Sequence, residues 1–160
     1  VLINNAGIIS YATPFLSQLR ETFETNTFGP AVIADTFAPL LLKSNDARLI
    51  YVSSDLGSIA MRGGKQHGVD AAAYRMSKAA LNMLMMCNKV QFEGKVKCWA
   101  FNPGFVVTDL SRTGEKGIQE RRDRGAGDPR ESAEALLEVV NGRRDKDVGG
   151  FVHKDGVHPW

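Results

Sequence analysis

The sequence predicts an α/β domain built on a doubly wound parallel sheet of about four strands. Three observations lead there. Short apolar runs such as "RLIYVS" at residues 48–53 and "KVKCWAF" at 95–101 alternate with segments of helical periodicity too long to be turns. Each run ends in a polar or glycine-rich cluster: Asn4-Asn5-Ala6-Gly7, Ser53-Ser54 and Asn102-Pro103-Gly104. Finally, 160 residues with 43% hydrophobic content suffice for one domain with a core of its own.

Residues 1–5 read as a strand that ends in a loop at "NAG". Val1-Leu2-Ile3 is a continuous apolar run, the pattern of a strand covered on both faces. Residues 19–43 place Leu19, Phe23, Phe28, Val32, Ile33, Phe37, Leu40 and Leu41 at helical spacing. One long helix is expected to start near Ser17, interrupted or tolerant at Gly29-Pro30 and Pro39, where a proline favours a kink. A second strand spans 48–53, and residues 55–70 form a glycine-rich loop. A second long helix covers 71–92, and a third strand covers 95–101, stopped by "NPG". Residues 107–127, where Arg112, Lys116, Arg121, Arg122 and Arg124 alternate with Glu115, Glu120 and Asp123, read as a solvated loop or short helical pieces that can close over a substrate. Asp128-Pro129 supplies an N-cap and a proline at the first helical position, and that helix runs to about Asn141. A short final strand at 149–153 leads into an Asp155-Gly156 turn.

The bulk numbers exclude some functions. A net charge of +2 is too small for a nucleic-acid or membrane-surface partner. No apolar run reaches transmembrane length. Cys87 and Cys98 form no CxxC and are expected to be buried thiols. They fit a reducing, cytoplasmic compartment. His67, His153 and His158 show no metal-ligand spacing and read as loop histidines; no metal is expected. Met83, Leu84, Met85 and Met86 read as helix-packing residues or the face of a homo-oligomer formed through the long helices.

Chemistry enters at "AAAYRMSKAAL". Tyr74 and Lys78 are four residues apart, so on a helix both point into one space. They open the helix that follows the second strand, at the edge where all three polar strand ends gather. Ligands of doubly wound sheets bind beyond those ends.

In this context the residues resemble the short-chain dehydrogenase/reductase family, in its carbonyl-reductase-like members. The matches are "NNAG" at Asn4-Asn5-Ala6-Gly7, Asn26 in "ETNTFG", Ser54 in "YVSSDLG", Tyr74 and Lys78 as YxxxK, and Pro103-Gly104 with Thr108 in "NPGFVVTD". The resemblance implies a Rossmann-like fold and an NAD(P)-dependent enzyme, with NADP slightly favoured, acting on a small-molecule carbonyl or alcohol. Tyr74 would exchange the proton, its pKa lowered by Lys78. Ser54 would orient the carbonyl, and the backbone carbonyl of Asn26 would hold a water that reaches Lys78. Asn5, Ala6, Gly7, Tyr74, Lys78, Pro103, Gly104, Val106 and Thr108 would contact the cofactor.

One departure from the family is large. Its TGxxxGxG phosphate turn has no counterpart here; "MRGGKQHG" lies between Ser54 and Tyr74 instead. The expectation is a partial domain over residues 1–160, preceded in the gene by about 80–100 residues, three strand–helix units in length. Alone, it should not bind NAD(P)H measurably. Three rivals remain at this point: a truncated inactive fragment, a non-catalytic dinucleotide-binding protein of the same fold, and an extended-branch epimerase or dehydratase. The last would need more than the roughly 80 residues that follow Lys78.

Overall fold

The computed structural model describes residues 1–63, 71–110 and 113–160. His67, Arg112 and most of the "GGKQHG" stretch lie outside the described residues. Five strands form one sheet in sequential order: β1 (Leu2–Asn4), β2 (Ala47–Val52), β3 (Val96–Phe101), β4 (Phe151–His153) and β5 (Gly156–His158). The first four are parallel neighbours, with Leu49 opposite Leu2 and Cys98, and Phe101 opposite Val152. The sheet is the expected α/β, Rossmann-like one, with one strand more than expected. Asp155-Gly156 does turn the chain, but into an antiparallel strand against β4. "GVH" is too short to show alternation, so its pattern gave no strand signal.

β2 and β3 supply the core, because strands covered on both faces can be apolar at every position. Ala47, Leu49 and Tyr51 face one side with Cys98, Ala100 and Phe151, against Ala34 and Leu41 of α2 (Gly29–Leu41) and Leu81 and Met85 of α4 (Ala72–Gln91). Ile50 and Val52 face the other side with Trp99, Phe101 and Val152, under Val139 of α6 (Pro129–Val140). The sheet is therefore doubly wound. Since strand order advances one way while α6 changes face, the third crossover has the opposite hand to the first two. The common handedness of such units holds for short connections. Here the chain from Pro103 to Asp128 makes a detour over the strand ends before α6 starts, and that detour passes the site described below.

Local expectations met several corrections. The first long helix is two helices, α1 (Phe15–Phe23) and α2, joined by a π-helical turn at Glu24–Phe28. Pro39 sits inside α2 without ending it. The loop after Ser54 holds a 3₁₀ turn, Asp55–Gly57, and one turn of helix, α3 (Ile59–Arg62). The charged stretch holds a helix, α5 (Glu115–Asp123). Asp128 caps α6 as expected, its carboxylate accepting from the Arg130 amide at 2.8 Å. Cys98 is buried, but Cys87 is exposed. Met85 is core, Leu84 and Met86 pack at its margin, and Met83 is exposed. His153 and His158 stack together on the β4–β5 hairpin, ring centres 4.8 Å apart, rather than lying in open loops.

At the end of the strands away from the polar clusters, Arg48 is buried beneath an ion cluster. Its guanidinium donates to Asp145 at 2.5 and 3.1 Å, to Asp46, and to the Val139 carbonyl, while stacking over Trp99. Lys97 joins both carboxylates. The Arg48 guanidinium holds the Asp145 carboxyl down at about 2. A depressed carboxyl pKa stabilises the fold above the unfolded value near 4, and that stabilisation is lost as pH falls toward 2. Asp145→Asn should therefore cost on the order of 1–2 kcal/mol at pH 7, since the carboxylate is partly solvated. The difference from wild type should shrink between pH 4 and pH 2 in urea titrations.

Candidate active site

The strand ends bring the sequence-predicted residues to one edge. β2 ends at Val52, and the two serines that follow divide their tasks. Ser53 is buried and donates to Asn82 Oδ1 at 2.5 Å, which ties the strand end to α4. Ser54 caps the 3₁₀ turn, accepting from the Leu56 amide and donating to Asp55 Oδ1, both at 3.2 Å, and it lies near enough to the Tyr74 phenol to favour its ionised form. Ser54, not Ser53, faces the tyrosine.

Asn26 sits in the π-helical turn, fully buried. Its side chain accepts from the Ile8 amide at 2.8 Å, donates to the Ile8 carbonyl at 2.9 Å, and donates to Ser77 Oγ at 3.0 Å. Ser77 in turn donates to the Tyr74 carbonyl at 2.8 Å, and Thr27 donates to the Ser77 carbonyl at 3.0 Å. The loop after β1, the π-helical turn and the start of α4 are thus joined through one amide. The local sequence explains the turn. Pro30 has no N–H, so the α-helical ladder cannot claim the Asn26 carbonyl four residues earlier.

Tyr74 and Lys78 lie one turn apart on α4, both buried, with the Lys78 ammonium 5.7 Å from the Tyr74 ring centre. Lys78 Nζ donates to the Val52 carbonyl at 2.8 Å. Burial disfavours charge on either group. It pulls Lys78 down to about 8 and pushes Tyr74 up to about 12, against the opposing Ser54 hydrogen bond and the charge of Arg121. The expected lowering of the tyrosine by Lys78 is not found: burial dominates, opposed by Ser54 and Arg121, and the phenol stays protonated throughout the neutral range.

Gly7 closes the constellation. A Cβ there would lie 3.4 Å from Lys78 Nζ and 3.6 Å from Asn26 Oδ1, ordinary contact distances, so the loop after β1 passes directly beside both. Asn5 and Ala6 are exposed beside it, and Asn4 Nδ2 is buried with no partner. Across the edge, Gly104 adopts φ +78°, and its amide is held by Asn102 Oδ1 at 3.0 Å. Pro103 and Val106 are half-buried, and Thr108 is exposed. Val106 bridges to Gly127, which ties this loop to the segment leading into α6.

Four residues escaped the sequence reading. Ser77 and Asn82 look like ordinary helix positions in one dimension, and Arg121 looks like one charge among many. Gly57 is different in kind. A Cβ there would fall 2.7 Å from the Lys78 carbonyl carbon and 2.9 Å from the Ala79 nitrogen, so the 3₁₀ turn presses directly on the α4 backbone. Its place three residues after Ser54 was the only signal available.

Gly57→Ala should cost about 1–3 kcal/mol through overpacking. It should also push Ser54 away from Tyr74, seen as a lower Tm and altered tyrosine absorbance on alkaline titration. A second expectation concerns Lys78. Above pH 8 the unfolded lysine still holds a proton that the native one releases, so stability relative to Lys78→Met should rise by on the order of 2–3 kcal/mol from pH 8 to pH 10.5. Comparison with the variant is needed because Cys98 and Tyr51, both raised by burial, act in the opposite direction at alkaline pH. A flat difference in urea titrations would show that the amine is solvated.

The chain matches the profile of the short chain dehydrogenases over residues 1–119. It is 36% identical over 182 aligned residues to short-chain dehydrogenase/reductase tropE of Talaromyces stipitatus, covering all of this chain and 66% of that protein. It is 32% identical over 174 residues to C-signal of Myxococcus xanthus, covering all of this chain and 92% of that protein. The NADPH-bound carbonyl reductase from chicken fatty liver superposes with a TM-score of 0.80 at 36% identity, over 99% of this chain and 65% of that one. The carbonyl reductase Sniffer of Drosophila melanogaster gives 0.77 at 30% identity, over 99% and 65%. The chain spans 66%, 52% and 66% of tropE, of anuI of Penicillium roqueforti and of eupG of Phoma sp. Sequence profile, relatives and fold agree with the arrangement of residues at the strand ends: the chain belongs to the short-chain dehydrogenase family.

Proposed function

We propose that this chain is the catalytic part of an NAD(P)-dependent oxidoreductase that interconverts a carbonyl and a secondary alcohol, with reduction the better-supported direction. The observation that carries the reading is the buried Tyr74 phenol at the strand ends beside Ser54, with the buried Lys78 ammonium one turn away and 5.7 Å from the ring centre. When bound, the nicotinamide supplies or accepts the hydride. NADP(H) is favoured because the 36% identical carbonyl reductase from chicken fatty liver binds NADPH.

The residues present fit the nicotinamide end of such a cofactor. Gly7 leaves room beside Lys78 Nζ, and the Pro103-Gly104 turn faces it from the next strand end but one. In this reading Asn5, Ala6, Gly7 and Lys78 hold the ribose side, and Pro103, Gly104, Val106 and Thr108 hold the carboxamide side. Ser54 donates to the substrate oxygen and orients it. Tyr74 gives that oxygen a proton, and Lys78 with the freed Asn26 carbonyl returns one to Tyr74 through water. Retention of Asn26, Ser54, Tyr74 and Lys78 in one network argues against a non-catalytic member of the fold.

A coarser feature supports self-association. Met76, Met83 and Val90 are exposed at seven-residue intervals on α4, and Val32, Ile33, Phe37 and Leu40 are exposed on α2 on the same side of the sheet. Such a stripe fits a homo-oligomer contact.

In the protein as its gene encodes it, Tyr74→Phe should lower kcat by about 10²–10⁴-fold and leave NADPH affinity within about twofold. Ser54→Ala should lower kcat by about 10²–10³-fold. Carbonyl reduction should be flat from pH 6 to 7, where the phenol and the Lys78 ammonium both keep their protons, and should fall above pH 8 as Lys78 loses its charge. Wild-type turnover in Tyr74→Phe would remove the mechanism.

A further inference from the structure

Most basic side chains that pair do so with carboxylates: Arg48, Lys97, Arg143, Arg144 and Lys154 each meet one within 4.0 Å. Two guanidinium groups at the end of α5 behave differently. Arg121 and Arg124 place their central carbons 5.3 and 5.4 Å from the centre of one ring, that of Phe105. Among the described residues, no carboxylate lies within 4.0 Å of either. Of the acids near in sequence, three are engaged elsewhere, and Glu120, four residues before Arg124, pairs with neither guanidinium among the described residues. Asp109 accepts from the Thr113 and Gly114 amides, Asp123 from Gln119, and Asp128 from the Arg130 amide.

Arg121 uses one N–H on the Val106 carbonyl at 3.3 Å and keeps four. The Arg124 guanidinium has no hydrogen-bond acceptor among the described residues, although its backbone N–H donates to the Glu120 carbonyl at 3.2 Å. Two like charges gathered on one ring repel each other. Cation–π contact with Phe105 offsets only part of that. What the pair lacks is an anion, and planar guanidinium forks match a carboxylate in two-point fashion. The place is informative too. Phe105 stands between Gly104 and Val106, and the charge of Arg121 reaches the Tyr74 phenol strongly enough to favour its ionisation.

We propose that Arg121 and Arg124, braced on Phe105, form an anion-docking pair at the rim of the Tyr74 site, so that the favoured carbonyl substrate carries a carboxylate or ionised phenol remote from the reacting carbon. The inference rests on the oxidoreductase reading and adds a substrate class to it. A cofactor diphosphate presents the same chemistry, and the test separates the two sources.

The probes are 4-formylbenzoate and its neutral methyl ester, reduced with NADPH by the protein as its gene encodes it. The ratio of kcat/KM for the anion to that for the ester should fall at least tenfold in Arg124→Gln. It should fall further in the Arg121→Gln/Arg124→Gln double variant and recover partly in Arg124→Lys. It should also fall with added salt. An unchanged ratio overturns the proposal, as does a rise in the KM for NADPH in place of the change in ratio, which would give the pair to the cofactor. Calorimetric titration with benzoate and with benzamide decides the pair independently of turnover. Tighter binding of benzoate that disappears in Arg124→Glu supports the docking site, and equal binding of the two overturns it. If neither aldehyde is reduced while benzoate still binds through the pair, the failure lies with the oxidoreductase reading and not with the anion site.

Discussion

The side-chain amide of Asn26 is the contact on which the site depends. It satisfies both backbone groups of Ile8, and through Ser77 it reaches the backbone of Tyr74. Three segments that are distant in sequence meet there with no solvent, so each polar atom must find its partner inside the protein. An amide has both an acceptor and two donors, and this geometry uses all three functions. Neither aspartate nor leucine could replace it without leaving an uncompensated group. The π-helical turn that carries Asn26 follows from a proline four residues later, so a backbone irregularity and a side-chain network share one origin.

Burial then decides the charge state of the centre. Lys78 and Tyr74 are adjacent, and in water their attraction would favour an ammonium–phenolate pair. With both withdrawn from solvent, desolvation is the largest influence on each, and each group shifts toward its neutral form. The Tyr74 phenol therefore keeps its proton at neutral pH.

Most of this arrangement was legible in one dimension because it rests on strand ends. A parallel sheet puts the carboxyl ends of its strands on one edge. The order "NNAG", Ser54, Tyr74, Lys78 and "NPG" therefore implied a common location before any coordinate was known. What escaped had physical reasons. β5 is too short to alternate. The π-helical turn keeps helical spacing on either side and shows no break in the apolar pattern. α5 is so polar that its apolar period is hidden, since it packs through arginines on Phe105 rather than through aliphatic side chains. The pKa direction of Tyr74 was misjudged because sequence spacing reports the neighbour and says nothing about the solvent. Gly57 mattered through backbone contact with α4, and no pairing of side chains could reveal that.

The ion cluster around Arg48 has a further meaning when its position is set against the chemistry. Arg48 and Val52 are four residues apart on β2, about 13 Å at the rise of an extended strand. Arg48 anchors the loop after α6 at one end, while the Val52 carbonyl holds Lys78 at the other. The strand between them separates a pole that is held by charge from the pole where the candidate site residues gather. Residues 103–127 can then vary in composition while the opposite pole keeps its ties. A substitution at the far pole therefore leaves the ties of Arg48 and Asp145 intact, because the residues gathered there are not those that hold this end of the sheet.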